Sequence, residues 1–344
     1  MKKFVFFVGA RPQIIKFAAL FPEIERNNLK FILVHSGQHY DKNLSDIFFN
    51  ELELPQPQYN LEVGSGTHAS QTAEIMLKLE KVLDNERPDF GVLFGDTNTT
   101  LAGSLLFSKK NLPFAHIEAG LRSYRRDMPE EINRIITDRL AEILFAPSNL
   151  AVENLKKEGI TKNVYVVGDL HFDLFKKVAN KINHFSALPI KDFIFLTVHR
   201  EENTKSPDFI KNLLQAIDRE KIHCIFPAHP RTLKLIGNLK FEYVRITEPL
   251  PYLKTLGYIK NAKVIITDSG GLQKEAYFMK KRTIILRKET EWGEIVKSGY
   301  AKLAGRDIDT IIRLIKTPWK TGEYYYYYGN GNAARKIVEI LKTL

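Results

Sequence analysis

Cysteine is nearly absent from this chain. A single residue, Cys224, among 344 excludes a disulfide framework and any zinc site built on cysteines, and it fits a reducing compartment. Long apolar runs are missing too, since none approaches the ~20 residues of a membrane span. The start imitates a secretion signal, Met1-Lys2-Lys3 and then Phe4–Val8. Gly9-Ala10-Arg11-Pro12 breaks that stretch short of the roughly 7–15 apolar residues such a signal needs. It reads as a first buried strand, and the chain as cytoplasmic, with no membrane partner. Fifteen prolines and 20 glycines are too few for a low-complexity or collagen-like chain. Arginine-rich tracts and nucleic-acid modules are also lacking, which sets nucleic acid aside as a partner. Lys plus Arg nevertheless outnumber the acids 51 to 40, a formal charge of +11. A solvated lysine-rich surface accounts for that excess, and so does a phosphorylated small-molecule ligand.

What is present is an alternation. The length suits about two domains. Apolar runs at Phe4–Val8, Phe31–Val34, Phe90–Phe94, Phe114–Ile117, Ile143–Ala146 and Val164–Val167 are separated by stretches of helical period, such as Ile14–Ile24, Thr72–Leu83 and Leu101–Phe107. Continuous apolar strands joined by helices predict a parallel sheet covered on both faces. The alternation restarts at Phe193–Val198 and continues through Cys224–Phe226, Tyr243–Ile246, Val264–Ile266 and Thr283–Leu286. Between them lies a lysine-rich stretch of weaker pattern, at about residues 168–190. The expected architecture is α/β: two doubly wound, Rossmann-like domains, 1–170 and 171–330, facing each other across a cleft. A last helix, within 331–344, is expected to pack back on the first domain. The five tyrosines Tyr324–Tyr328 before Gly329-Asn330-Gly331 read as a surface loop, with base stacking as the alternative.

In a parallel α/β sheet, ligands bind beyond the carboxyl ends of the strands. In the first half those ends carry Gly9-Ala10-Arg11-Pro12 with Lys16, then His35 to Asp41, Gly95-Asp96-Thr97, and Glu118-Ala119-Gly120-Leu121-Arg122. In the second half they carry His199-Arg200-Glu201, His229-Pro230-Arg231, Asp268-Ser269-Gly270-Gly271, and Arg287 with Glu289 and Glu291. Ser269-Gly270-Gly271 opens a helix with almost no side chains, so its free N–H groups and positive dipole end suit a diphosphate; a plain Ser/Gly cap is the bland alternative. Glu275, one turn on, suits ribose hydroxyls. Arg11 and Lys16 put positive charge at the first strand end. No G-x-G-x-x-G follows that strand, which argues against a nicotinamide enzyme. Asp96 alone could be a helix cap, and Glu130 and Glu131 ordinary first-turn acids. Glu118 has no such excuse. Grouped carboxylates are what proton abstraction and return require.

Gly9–Pro12 with Lys16, Ser36-Gly37-Gln38-His39, Gly95-Asp96-Thr97, His116–Arg122, Pro129-Glu130-Glu131-Ile132-Asn133-Arg134, Thr197–Glu201 and Asp268–Gly271 occur in order. Together they resemble the non-hydrolysing UDP-N-acetylglucosamine 2-epimerases over nearly the whole chain. The resemblance implies a fold like that of GT-B glycosyltransferases, a homodimer, a UDP-sugar substrate, no organic cofactor and no metal. It implies inversion at C2 through elimination and re-addition of UDP, in the service of surface polysaccharide synthesis. By motif, Asp96, Glu118 and Glu130 would be the acid/base carboxylates, with Arg134 and His199 supporting them or the departing UDP. Arg11, Lys16, His229, Ser269, Gly270, Gly271 and Arg287 would hold UDP, and Glu275 its ribose. Two departures stand out. Tyr40-Asp41-Lys42 follows Gly-Gln-His where many members continue into a site for an activating second substrate. Arg287-Lys288-Glu289-Thr290-Glu291-Trp292 and His229-Pro230-Arg231 are closer to the branch acting on UDP-2,3-diacetamido-2,3-dideoxyglucuronic acid. A hydrolysing relative, a retaining glycosyltransferase and a silent UDP-sugar binder are the competing readings.

Overall fold

Short runs of aromatic and β-branched residues become the strands, and the central ones are covered on both faces. In the computed structural model, which describes residues 2–38, 49, 51–182, 192–205, 207–228, 230–237, 239–317 and 319–344, Phe4–Val8 and Phe90–Phe94 are buried at every position. The strands are β1 Lys3–Val8, β2 Lys30–His35, β3 Tyr59–Asn60, β4 Phe90–Phe94, β5 Phe114–Ile117, β6 Ile143–Ala146 and β7 Val164–Val166. They continue as β8 Ile194–Thr197, β9 Cys224–Pro227, β10 Val244–Thr247, β11 Val264–Thr267, β12 Arg282–Ile285 and β13 Ala301–Leu303. The order of the first sheet is β3-β2-β1-β4-β5-β6-β7 and of the second β10-β9-β8-β11-β12-β13. The pairings are parallel, so each sheet is doubly wound, as expected. Two strands have no counterpart in the sequence reading: β3 has only two residues, and β13 is an edge strand with two of its three side chains exposed. Neither offers the apolar run that reveals a buried strand.

The chain divides into one unit of residues 1–176 with 326–344, and a second of residues 177–325. In each, the strand order reverses at one point: between β1 and β4, and between β8 and β11. Such a reversal opens a crevice at the carboxyl ends. The register Val8 against His35 and Phe94 against Ile117 brings Gly9, Ser36, Gly95 and Glu118 to one rim. The helix Asn98–Lys109 lies close on that sheet because Gly103 has no Cβ; one added there would come within 2.6 Å of Leu93 and 3.1 Å of Phe7.

The helix Ala333–Leu341 belongs to the first unit and packs on the helix Arg11–Arg26. Asp173, on the helix Leu170–Ile182, accepts a hydrogen bond from the Ala334 N–H at 2.8 Å. The tyrosine run is only partly a surface loop. Tyr325 and Tyr326 are exposed, whereas Tyr328 is buried and Tyr324 stacks on Tyr277 at 4.8 Å.

Burial pushes the Asp173 carboxyl up to about 6, outweighing the N–H groups of Ala334 and Ala333 that favour its charge. Its value in the fold therefore exceeds the ordinary 3.8. The stability it contributes is complete below about pH 4 and is lost as the pH rises through about 6, leaving a cost of at most about 3 kcal/mol at neutral pH. Asp173→Asn keeps an acceptor for Ala334 and removes the charge. Thermal unfolding should show the variant more stable than the parent at pH 8 and little different at pH 4; an equal shift at both would contradict this.

Candidate active site

The β1 end is stapled to the β4 end by one side chain. Gln13 Oε1 accepts from the N–H groups of Gly9 (2.7 Å) and Ala10 (3.0 Å), and its Nε2 donates to the Phe94 carbonyl (2.7 Å) and Thr100 Oγ1 (2.9 Å). Gly9 leaves room for Ser36 and Thr99, whose hydroxyls lie 2.7 Å apart. A Cβ on Gly9 would fall 2.0 Å from one and 2.1 Å from the other. Gln38 Oε1 then accepts from the Thr99 N–H (3.0 Å) and hydroxyl (2.7 Å), capping the helix Asn98–Lys109. These polar bonds fix the backbone that carries Arg11, Lys16 and Asp96.

Two carboxylates stand on this rim, each against a buried cation. Lys16 Nζ is 2.5 Å from Glu118 Oε2, with only 4% and 10% of the side chains exposed. Arg134 Nη2 is 2.5 Å from Asp96 Oδ2, and its Nη1 is 2.9 Å from Glu131 Oε2. Glu118 sits at φ +76°, a left-handed conformation costing a non-glycine residue about 1–2 kcal/mol. The N–H groups of Glu118 and Ala119 both reach the Phe145 carbonyl at 3.1 Å, which helps hold the turn. Strain imposed on a charged residue at a strand end is the kind found at functional sites.

Glu130 and Glu131 diverge on the first turn of the helix Pro129–Leu140. Glu130 is half-buried. Glu131 is buried and accepts from the Ser123 N–H and hydroxyl, both at 2.9 Å, and from the Tyr124 N–H at 2.8 Å. It therefore ties the loop after β5 to the helix and holds Arg134 beside Asp96. Next to Glu118 the structure adds a pair the sequence reading overlooked: a carboxylate oxygen of Glu118, a carboxylate oxygen of Asp169 and a ring nitrogen of His171 all lie within 4.8 Å of one another. Asp169 and His171 fall where the hydrophobic pattern weakens, so periodicity gave no reason to examine them.

The rim of the second sheet is organised by Asp268, which is fully buried. Its carboxylate accepts from the N–H groups of His199 (2.9 Å) and Arg200 (3.0 Å) and from the Asn203 amide (2.8 Å). The exposed His199 side chain is thus carried on a turn pinned to the β11 end. Ser269 caps the helix Gly270–Phe278 through the Leu272 N–H. Gly270 is needed there, because a Cβ would lie 2.6 Å from Glu291 Oε1 and 3.2 Å from Trp292 Nε1. Gly271 follows on the same half-buried turn, and Glu275 is buried one turn on. Buried Arg287 places Nη1 2.8 Å from Glu291 Oε2. Lys274 lies over the Trp292 ring at 4.1 Å.

The structure thus gathers Lys16, Asp96, Glu118 and Arg134 on the first rim, with Arg11 half-buried at the opening of its helix and Glu130 on the helix that carries Arg134. Lys16, expected with the diphosphate groups, stands against Glu118. His199, Ser269, Gly270, Gly271, Glu275 and Arg287 belong to the second rim. His229 and Tyr40-Asp41-Lys42 lie outside the described residues. Gln13, Glu131 and Asp268 hold the rims in shape and were not among the expected site residues.

Comparison with known proteins agrees with this geometry. Residues 22–342 match the family described as UDP-N-acetylglucosamine 2-epimerase. The chain is 43% identical to a UDP-N-acetylglucosamine 2-epimerase homolog of Methanococcus maripaludis, over 99% of this chain and 100% of that one. It is 39% identical to a UDP-2,3-diacetamido-2,3-dideoxy-D-glucuronate 2-epimerase of Pseudomonas aeruginosa, with the same coverage. The crystal structure of the Methanocaldococcus jannaschii UDP-GlcNAc 2-epimerase, in complex with UDP-GlcNAc and UDP, superposes with a TM-score of 0.92 at 39% identity, covering 99% of this chain and 100% of that one.

Removing one partner of a buried ion pair strands the other charge, at about 3–5 kcal/mol. Lys16→Met should therefore destabilise the protein by about that much in denaturant unfolding. Adding Glu118→Gln to Lys16→Met should recover most of the loss, since no charge is then left unpaired. A double variant no more stable than Lys16→Met would show that the pair is not what the fold feels.

Proposed function

The chain belongs to the UDP-N-acetylglucosamine 2-epimerase family, and on that premise we propose that it inverts C2 of a UDP-activated amino sugar by eliminating UDP and adding it back. The C2 proton of such a sugar is not next to a carbonyl, so its removal alone would leave an unstabilised carbanion. Coupling removal to cleavage of the C1–O bond to UDP avoids that: the electron pair of the C2–H bond forms the C1–C2 double bond as UDP departs. Re-addition of UDP, with protonation of C2 from the other face, gives the epimer. Atoms balance without an oxidant or an organic cofactor.

This chemistry needs proton-transfer groups on both faces of the ring and positive or N–H groups for the diphosphate. We assign Asp96, Glu118 and Glu130 to proton transfer. Arg134 orients Asp96, and Lys16 orients Glu118. Arg11, His199, His229, Arg287 and the N-terminus of the helix Gly270–Phe278 serve UDP, with Glu275 for its ribose. The observation that carries the reading is the placement of Asp96 and Glu118 at the ends of paired strands, each against its own buried cation. We also propose a homodimer in the cytoplasm. Among the described residues no helix is long and apolar enough to cross a membrane.

The substrate is the plain N-acetylglucosamine derivative in the main reading. The diacetamido uronate is the second, in keeping with the likeness to the Pseudomonas protein. Purified protein incubated with each UDP-sugar and followed by proton NMR should build up the C2 epimer of one of them. Asp96→Asn should lower that rate at least about a thousandfold while UDP affinity stays within about tenfold, because its contacts differ from those of the diphosphate. Full turnover by the variant would remove Asp96 from the mechanism.

A further inference from the structure

An imidazole ring held between two groups that can only accept hydrogen bonds must donate from both nitrogens. His116, fully buried on β5, is in that position. Its Nε2 lies 2.7 Å from the Gly95 carbonyl oxygen, and its Nδ1 lies 2.6 Å from Asp138 Oδ1. A carbonyl oxygen has no proton to give. Asp138 has none either: its other oxygen accepts from the Gly120 N–H and from the Arg122 guanidinium, whose positive charge favours the ionised carboxylate against the upward push of burial. A neutral ring would leave one bare nitrogen lone pair facing an oxygen lone pair at hydrogen-bond distance.

We propose that His116 is a doubly protonated, positively charged positioning residue that fixes, with one ring, the turns carrying Asp96 and Glu118. Towards β4, its Nε2–H holds the Gly95 carbonyl. Gly95 is the residue before Asp96 and stands at φ +61°. Towards the helix Pro129–Leu140, its Nδ1–H holds Asp138. The second oxygen of Asp138 accepts from the Gly120 N–H (3.1 Å) and from Arg122 Nη1 (2.7 Å), which secures the turn two residues beyond Glu118. Arg122 passes on to Glu158 through two hydrogen bonds of 2.6 and 2.7 Å. The cluster is then balanced, with His116 and Arg122 positive and Asp138 and Glu158 negative, and a fully buried imidazolium is sustained. His116 acts on Asp96 and Glu118 through the backbone on either side of them.

The proposal rests on the epimerase reading only for its kinetic consequence, so the test has a part that needs no substrate. With histidine labelled in 15N, the His116 ring, identified by ring protons that resist exchange with solvent and by loss in His116→Gln, should show both nitrogens protonated at pH 7. In Asp138→Asn the same ring should show one. Because glutamine cannot donate in both directions as a cation, His116→Gln should lower kcat by about 10–100-fold, as expected for displaced reacting groups, with the Kd for UDP within about threefold. A single protonated nitrogen in the parent protein would overturn the charge. Unchanged kcat in both variants, or UDP affinity falling as far as kcat, would overturn the positioning role. A parent protein that epimerises no UDP-sugar counts against the proposed function, and the spectrum still decides the state of His116.

Discussion

The parallel pairing of β4 with β5, which sets Phe94 against Ile117, is the constraint on which the first rim depends. One residue past the pair on β5 is Glu118, and two past it on β4 is Asp96. Charged groups at such a place are exposed to the crevice but backed by a hydrophobic core, where an unpaired charge is expensive. Lys16 and Arg134 reach them from two different helices. Each carboxylate is therefore fixed in direction by a cation that the core itself holds still. This arrangement suits groups that must exchange protons with a ring carbon, because position then needs no reorganisation during reaction.

The second rim answers a different chemical need. Asp268 spends its acceptor capacity on the turn that carries His199 and Arg200, while Ser269 and two glycines leave the adjoining helix end almost bare. Backbone N–H groups without competing side chains suit a diphosphate. The division of labour follows from the fold: the reversal of strand order in each sheet makes one crevice per unit, and the residues there differ in kind, acids paired with cations in the first, glycines and backbone donors in the second.

Much of this was legible in the sequence. Eleven of the strands announced themselves as apolar runs, most plainly the central ones, since a strand buried on both faces has no polar alternation to hide it. The candidate residues at their ends followed from the rule that ligands bind beyond the carboxyl ends. Three things were not legible. A role for Glu131 distinct from that of Glu130 depends on which way two neighbours on one helical turn face, and only the loop that Glu131 captures decides that. The Lys16–Glu118 pair joins residues from separate strand ends, so spacing could suggest positive charge but not its partner. Asp169 and His171 sit after a strand of three residues, in a stretch whose pattern fades, and nothing local distinguished them from surface polar residues.

The central claim is that proton removal at C2 and departure of UDP from C1 are one linked event, performed by carboxylates of the first rim. Turnover of the UDP-sugar substrate in deuterated water tests it most directly. The account predicts solvent deuterium at C2 in both epimers, seen by proton NMR as loss of the C2 proton signal, with no other ring position exchanged. Epimer formed with its original C2 proton intact would contradict it.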